Sequence, residues 1–220
     1  MLKIGHRGAK GHVAENTLAS FKKALELKVD GIELDVHLSS DGEIMVIHDE
    51  TINRTTSGNG FVKDFTSDEL NQLGIPTLTQ VLDLINQECF VNIEIKDIKT
   101  TKLVVELIQN YSFNKYWNIE NFIVSSFNWE VLKEITRLNT EIRIGVLTED
   151  YIHDAFTFAN VIKAFSINPY FKLLNLENVK LMHKEGFQIH TWTVNSFEDI
   201  TFVKSLNVDG VISDFPDKIQ

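Results

Sequence analysis

Eight short apolar runs recur along this chain, each followed by a stretch of helical character, and that rhythm leaves few folds open. The runs are LKIG, GIELDVHL, FVNIEI, NFIVSSF, IRIGVL, AFSINP, FQIHTWTV and DGVIS. Several do not alternate apolar and polar residues, as expected of parallel strands covered on both faces. Between them, NTLASFKKALELK places Leu18, Phe21 and Leu25 on one helical stripe, with Asn16 or Thr17 as its cap. PTLTQVLDLINQ, TTKLVVELIQN, NWEVLKEITRL, YIHDAFTFAN, LENVKLMHKEG and SFEDITFVKSL continue the series. Strands that alternate with helices point to a parallel sheet, and eight such strands are the number that closes a (β/α)8 TIM barrel. With 220 residues the chain suits one domain with a large core, so residues 1–220 are expected to form a single barrel.

The rhythm breaks once. After GIELDVHL, the residues SSDGE read as a turn and IMVIHDE as a short antiparallel return strand. The polar stretch TINRTTSGNGFVKDFTSDELNQLG follows, before a helix that starts near Pro76. A small insertion over about residues 49–75, after the second barrel strand, would lie at the C-terminal mouth, where barrel enzymes keep their chemistry.

Two of the strands carry acid on one face. Side chains alternate along a strand, so Ile32, Leu34, Val36 and Leu38 share one face while Glu33, Asp35 and His37 share the other. In VNIEIKD, Asn92, Glu94 and Lys96 likewise lie opposite Val91, Ile93 and Ile95. Neighbouring carboxylates repel each other and are costly to desolvate, and a divalent cation between them removes that cost. Glu33, Asp35 and Glu94 together offer the hard oxygen set that suits Mg²⁺ or Ca²⁺. The bland alternative is ion pairing with Arg7 and Lys96 inside the barrel, which leaves an excess of negative charge unexplained.

Histidines stand at two strand ends. His6-Arg7-Gly8 follows the first strand, and such a pair can serve as acid or base plus anion clamp, or can simply be an exposed loop pair. His48-Asp49 closes the return strand. A lone histidine there is more often structural, but two of them flanking an acidic strand match hydrolysis that expels an alkoxide, which needs two proton transfers. Lys96 should point into the same mouth and suits a phosphate oxygen as a compact charge. His190 and Trp192 share one face of FQIHTWTV, where Trp192 either walls a substrate pocket or fills the core. Glu15 is placed to hold His6 or Arg7, or to complement the first helix. His12, His37, His153 and His183 have no comparable context, and the last two read as solvated helix residues.

Composition narrows the classes. A formal net charge of −10 argues against nucleic acid and against stable association with anionic membrane. A small anionic substrate fits only where metal, arginine and lysine supply local positive charge. No apolar run approaches the roughly 18 residues of a membrane span, and MLKIGHRG lacks an apolar signal core, so a cytoplasmic protein is expected. The single cysteine, Cys89, excludes an intrachain disulfide and reads as a buried thiol.

The blocks HRG, ENTLASF, DGIELDV, VIHDETINRTTSGNG, PTLTQVLDLI, NIEIK, HTWTVN and DGVISDFP run through the chain in that order. Each is weak alone; the ordered set resembles the glycerophosphodiester phosphodiesterases. That resemblance implies a TIM barrel with a small insertion after the second strand. It implies one divalent cation, Mg²⁺ or Ca²⁺ with Mn²⁺ also admissible, held by Glu33, Asp35 and Glu94. It implies His6 and His48 as the general acid–base pair, with Arg7 and Lys96 on the phosphate. One departure stands at Ala14, where many relatives have proline; it leaves the carried-over ligands intact. The implied reaction turns a glycerophosphodiester and water into glycerol 3-phosphate and an alcohol, by direct attack of water or through a cyclic phosphate. Two other readings compete: a phospholipase-type enzyme on intact lipids, for which the insertion offers only Phe61 and Phe65 as apolar anchors, and a non-catalytic binding barrel.

Overall fold

Each apolar run becomes a strand in the computed structural model, which describes residues 1–219. Strand β1 (Leu2–His6) is followed by helix α1 (Leu18–Glu26), and β2 (Gly31–Leu38) by the return strand β3 (Ile44–Val46) and helices α2 (Ser67–Gln72) and α3 (Leu78–Ile85). Regular alternation then resumes with β4 (Phe90–Ile95), α4 (Thr101–Asn114), β5 (Phe122–Ser126), α5 (Trp129–Leu138), β6 (Arg143–Thr148) and α6 (Ile152–Ile162). It ends with β7 (Ser166–Pro169), α7 (Leu176–Lys184), β8 (Gln188–Thr191), α8 (Phe197–Ser205) and β9 (Gly210–Ser213). A single 3-10 turn, Pro216–Lys218, stands where an eighth barrel helix would follow. The sheet order is β1-β9-β8-β7-β6-β5-β4-β2-β3, and parallel pairing of β1 with β2 closes eight strands into a TIM barrel. Strand β3 stays outside the barrel, antiparallel to β2.

The apolar core is the ring between sheet and helices. Ile32, Leu34 and Val36 of β2 and Val91, Ile93 and Ile95 of β4 point outward into it, against helix residues such as Phe21, Leu82 and Ile108. The opposite faces line a barrel interior that is largely polar: Glu33, Asp35, Asn92, Glu94, Ser125, Ser166, Asn168 and His190 are all buried. Low on that inner face His190 packs against Phe90 and Phe165, with ring centroids 6.2 and 6.1 Å away. Burial pushes its pKa down to about 4, so it is a neutral filler at the barrel floor.

Local expectations change at several points. Leu18 is 40% exposed, and the buried residues of α1 are Ser20, Phe21 and Ala24. Thr17 is the cap, accepting from Ser20 N–H at 3.1 Å, while Asn16 takes a left-handed conformation at φ 55° and turns inward. The insertion contains α2, held by a capping box between Thr66 and Glu69. His183 is not solvated: its Nε2 bonds Asp209 at 2.9 Å, whereas His153 is exposed. Around the insertion, Met45, Ile47, Ile52, Val62, Leu70 and Ile75 form a second small cluster, and Phe65 packs on it instead of projecting as an anchor.

The turn after β1 is the tightest point in the frame. Arg7 has φ 51° and Gly8 φ 86°, consecutive left-handed residues that reverse the chain over α1. Ser20 Oγ donates to Arg7 O and accepts from Ala9 N–H, each at 2.9 Å. A Cβ at Gly8 would come within 2.4 Å of Ser20 Oγ and 2.8 Å of its carbonyl carbon. Backbone strain and overpacking therefore combine in Gly8→Ala, which should cost about 2–4 kcal/mol. Denaturant unfolding measures that loss, and a change below about 0.5 kcal/mol would show that the turn is not tight.

Candidate active site

The register of three parallel strands assembles the site. His6 on β1 pairs with Glu33 on β2, and Asp35 on β2 pairs with Glu94 on β4, so all four side chains point into the barrel near its mouth. Lys96, just beyond β4, and Arg7, just beyond β1, reach the same space. With His48 from the end of the return strand and Trp192 from beyond β8, they line a cavity of about 170 Å³. Of the residues expected to form the site, His6, Arg7, Glu33, His48, Glu94, Lys96 and Trp192 line this cavity; Asp35 lies just beneath the lining and contacts both cations, whereas His190 lies deeper, at the barrel floor.

Oxygen atoms of Glu33, Asp35 and Glu94 lie within 4.8 Å of one another, and all three residues are buried. Such crowding resists full ionisation. Burial, then Asp35 and Glu94, hold the Glu33 carboxyl well above the usual range. Burial and then Asp35 push Glu94 up to about 7, against the pull of Lys96. Asp35 goes the other way: burial would raise it, but Lys96 and Arg7 outweigh that and hold it low. Lys96 Nζ stands between Asp35 Oδ1, at 3.3 Å, and Glu94 Oε1. Arg7 Nε lies 3.2 Å from Asp35 Oδ2, and Arg7 N–H donates to Glu33 Oε2 at 3.0 Å. An all-oxygen set this crowded is consistent with a divalent cation.

Both histidines are oriented by carboxylates. His6 Nδ1 donates to Asp214 Oδ1 and His48 Nδ1 to Asp49 Oδ1, each at 2.6 Å. A carboxylate only accepts, so Nδ1 carries the proton and Nε2 is left as the basic nitrogen of each ring. His6 Nε2 is 4.0 Å from Glu33 Oε2. Burial lowers the pKa of both rings, opposed at His6 by the Asp214 bond and at His48 by Asp35. Behind them, Arg54 of the insertion binds Asp49 through Nε at 2.7 Å and Glu15 through Nη1 at 2.9 Å. Glu15 in turn accepts from Arg7 Nη1 at 2.6 Å, which resolves the sequence reading of Glu15 in favour of Arg7. The two arginines hold Glu15 down at about 2 although burial opposes them.

The model of the glycerophosphoryl diester phosphodiesterase family matches residues 6–218. The chain belongs to this family. A glycerophosphodiester phosphodiesterase of Caldanaerobacter subterraneus subsp. tengcongensis is 38% identical, covering 99% of this chain and 96% of that protein. The crystal structure of a Thermotoga maritima glycerophosphodiester phosphodiesterase is 30% identical with a TM-score of 0.87, covering 99% of this chain and 96% of that one. An Oleispira antarctica phosphodiesterase in complex with the product sn-glycerol-3-phosphate is 26% identical with a TM-score of 0.89, over 99% of this chain and 94% of that one.

Several residues of the site escaped the sequence reading: Asn16, whose Nδ2 donates to Asp35 Oδ2 at 2.9 Å, Arg54, Asp214, and the cavity-lining Phe127 and Glu149. Asp49 and Asp214 sit inside the quoted blocks VIHDETINRTTSGNG and DGVISDFP, so position alone drew attention to them, without a role. Among the described residues, no helix is long and apolar enough to cross a membrane.

The crowded carboxylates make a thermodynamic prediction. The ordinary carboxyl value is 4.5 and Glu94 sits at about 7 in the folded protein, so between them the folded state keeps a proton that the unfolded chain has lost. Stability from this proton is complete below 4.5 and fades as pH rises through about 7. In chelator, the Tm of the native sequence should fall relative to Glu94→Gln across that window, and Mg²⁺ should restore it. Parallel Tm curves for the two proteins would show that Glu94 ionises freely.

Proposed function

We propose that Glu33, Asp35 and Glu94 hold one divalent cation, Mg²⁺, Ca²⁺ or Mn²⁺, and that His6 and His48 move the protons in glycerophosphodiester hydrolysis. The chain, with residues 49–75 as the insertion at its mouth, is read as one catalytic barrel. The reaction adds water across a P–O bond, giving glycerol 3-phosphate and a free alcohol. Both the direct and the cyclic-phosphate routes require one group to take the proton of the attacking oxygen and another to protonate the departing alkoxide. The observation that carries the reading is the pairing of His6 with Asp214 and of His48 with Asp49, beside one buried acidic cluster.

The parts divide the work by their chemistry. The cation, when bound, neutralises phosphate charge and makes an oxygen nucleophile more acidic. Asp214 and Asp49 fix the ring tautomers and stabilise each imidazolium as it forms. Burial keeps the rings poorly protonated until a proton arrives, which favours the role of base; the partner ring must then hold the proton that leaves with the alcohol. Arg7 and Lys96 bind the phosphoryl oxygens. Arg7 is held from behind by Glu15, so its guanidinium is presented in one orientation, and Lys96, between Asp35 and Glu94, would be free to meet a phosphate oxygen were those carboxylates to hold the cation. Trp192, whose Nε1 donates to Asn168 O at 2.8 Å, forms a fixed wall of the substrate cavity.

A coupled assay for glycerol 3-phosphate tests this. Chelation should abolish turnover and Mg²⁺, Ca²⁺ or Mn²⁺ should restore it. His6→Ala and His48→Ala should each lower kcat on the order of 10²–10⁴-fold with Tm little changed. Arg7→Lys should lower kcat/KM while calorimetry still detects cation binding, because lysine cannot span Glu15, Asp35 and phosphate together. Full activity in chelator, or near-native kcat in either histidine variant, would remove that element from the mechanism.

The substrate is a deacylated diester in this reading. Of the two insertion phenylalanines only Phe61 is exposed, at 42%, and one ring buries too little area to offset the repulsion of a −10 protein from an anionic bilayer. Deacylated diesters should be cleaved far faster than their diacyl parents in vesicles. Equal kcat/KM on vesicle-borne phospholipid would favour the phospholipase reading.

A further inference from the structure

A second cavity meets the first at Lys96, which lines both. It is a groove of about 310 Å³ between the end of β2, the insertion and the turn after β4, bounded by His37, Glu50, Phe61, Asp97 and Ile98. The two differ in burial. The first has buried groups such as Glu33, Asn92, Glu94 and Ile212 in its lining; half of the groove's lining is exposed, and only Val62 there is buried. A phosphodiester whose phosphorus sits beside Lys96 would send its two substituents in opposite directions. The glycerol half is constant in size and suits the cavity with the more buried lining. The alcohol half varies, must depart to solvent, and suits the groove.

Resting on the reading of the site as a glycerophosphodiesterase, the geometry points to this groove as the subsite of the leaving alcohol, selective for alcohols that carry a cationic nitrogen. Three observations carry the charge preference. The Phe61 ring already accepts an ammonium: Lys63 Nζ lies 5.3 Å from its centroid. Aromatic faces bind quaternary ammonium in the same way. Glu50 is exposed beside that ring, and its carboxylate has no ion-pair or hydrogen-bond partner among the described residues. Asp97 adds a second carboxylate, one oxygen of which caps the following turn by accepting from Lys99 N–H at 3.0 Å. Of the two lysines on the lining, Lys96 is engaged by Asp35 and Glu94, and Lys63 is the exposed cation on the ring that a substrate cation would displace. An uncharged alcohol can hydrogen-bond to Glu50 but gains neither its charge attraction nor the cation–π contact.

The first cavity has an aromatic and acidic end of its own, with Phe127, Trp192 and Glu149, and the test separates the two. Steady-state kinetics with Mg²⁺ on glycerophosphocholine and glycerophosphoglycerol compares a cationic with a neutral alcohol. Glu50→Gln and Phe61→Ala should each lower kcat/KM for the choline diester about threefold to tenfold and change the glycerol diester by less than about twofold. Lys63→Ala should raise the choline value, and choline chloride should inhibit the native protein more strongly than Glu50→Gln. Equal losses on both diesters, or no change in the ratio in either variant, overturn the subsite. A ratio that moves with Glu149→Gln instead assigns the alcohol to the first cavity and also overturns it. Absence of hydrolysis of both diesters by the native protein would reject the enzymatic reading as well, whereas hydrolysis of both with an unmoved ratio rejects the subsite alone.

Discussion

Three carboxylates crowded on the inner face of two adjacent parallel strands set the terms for everything around them. At these separations and this burial, full ionisation is unfavourable without compensating positive charge. Two side-chain cations supply part of it. Lys96 stands between Asp35 and Glu94, and Arg7 contacts Asp35 while its backbone N–H serves Glu33. Asp35 is thereby kept charged while Glu33 and Glu94 retain affinity for protons. The site is poised to exchange protons for a harder cation.

That charge balance reaches into the loops through one arginine. Arg54 holds Asp49, which orients His48, and Glu15, which orients Arg7. The insertion thus acts as a brace on two sides of the mouth. On the third side Asn195 Nδ2 donates to Asp214 at 2.8 Å, and Asp214 orients His6. His6, His48 and Arg7 are each backed by a carboxylate that fixes their direction, an arrangement that limits the reorganisation needed when charge develops on a substrate. The strained Arg7–Gly8 turn fits the same logic, since left-handed backbone at two successive residues is what lets Arg7 offer its N–H to Glu33 and its guanidinium to Glu15.

Function also depends on where the barrel keeps its apolar material. The large core lies outside the sheet, among the helices, so the inner face of the barrel is free to be polar. His190 shows the limit of this freedom: deep in the interior, it is packed between phenylalanines and held neutral. Nearer the mouth the same inner face carries the acid cluster and opens onto solvent.

Strand positions, the acidic faces of β2 and β4, and the return strand were legible in the sequence because periodicity assigns each side chain to a face by local geometry alone. The same argument placed Lys96 beside Glu94. Helix stripes were read less well. Leu18 shares a helical stripe with Phe21 and Leu25 yet is exposed, because α1 packs through Ser20, Phe21 and Ala24 beneath the strained turn. The capping box of α2 was present as Thr66 and Glu69 but was masked by the polarity around it. What only the tertiary structure decided is partnership. His6 and Asp214 are 208 residues apart and meet because barrel closure sets β1 beside β9. Arg54 meets Glu15, 39 residues before it, because the insertion folds back over the mouth. A sequence pattern records which face a residue occupies; which residue stands opposite is fixed only when the sheet closes and the loops pack.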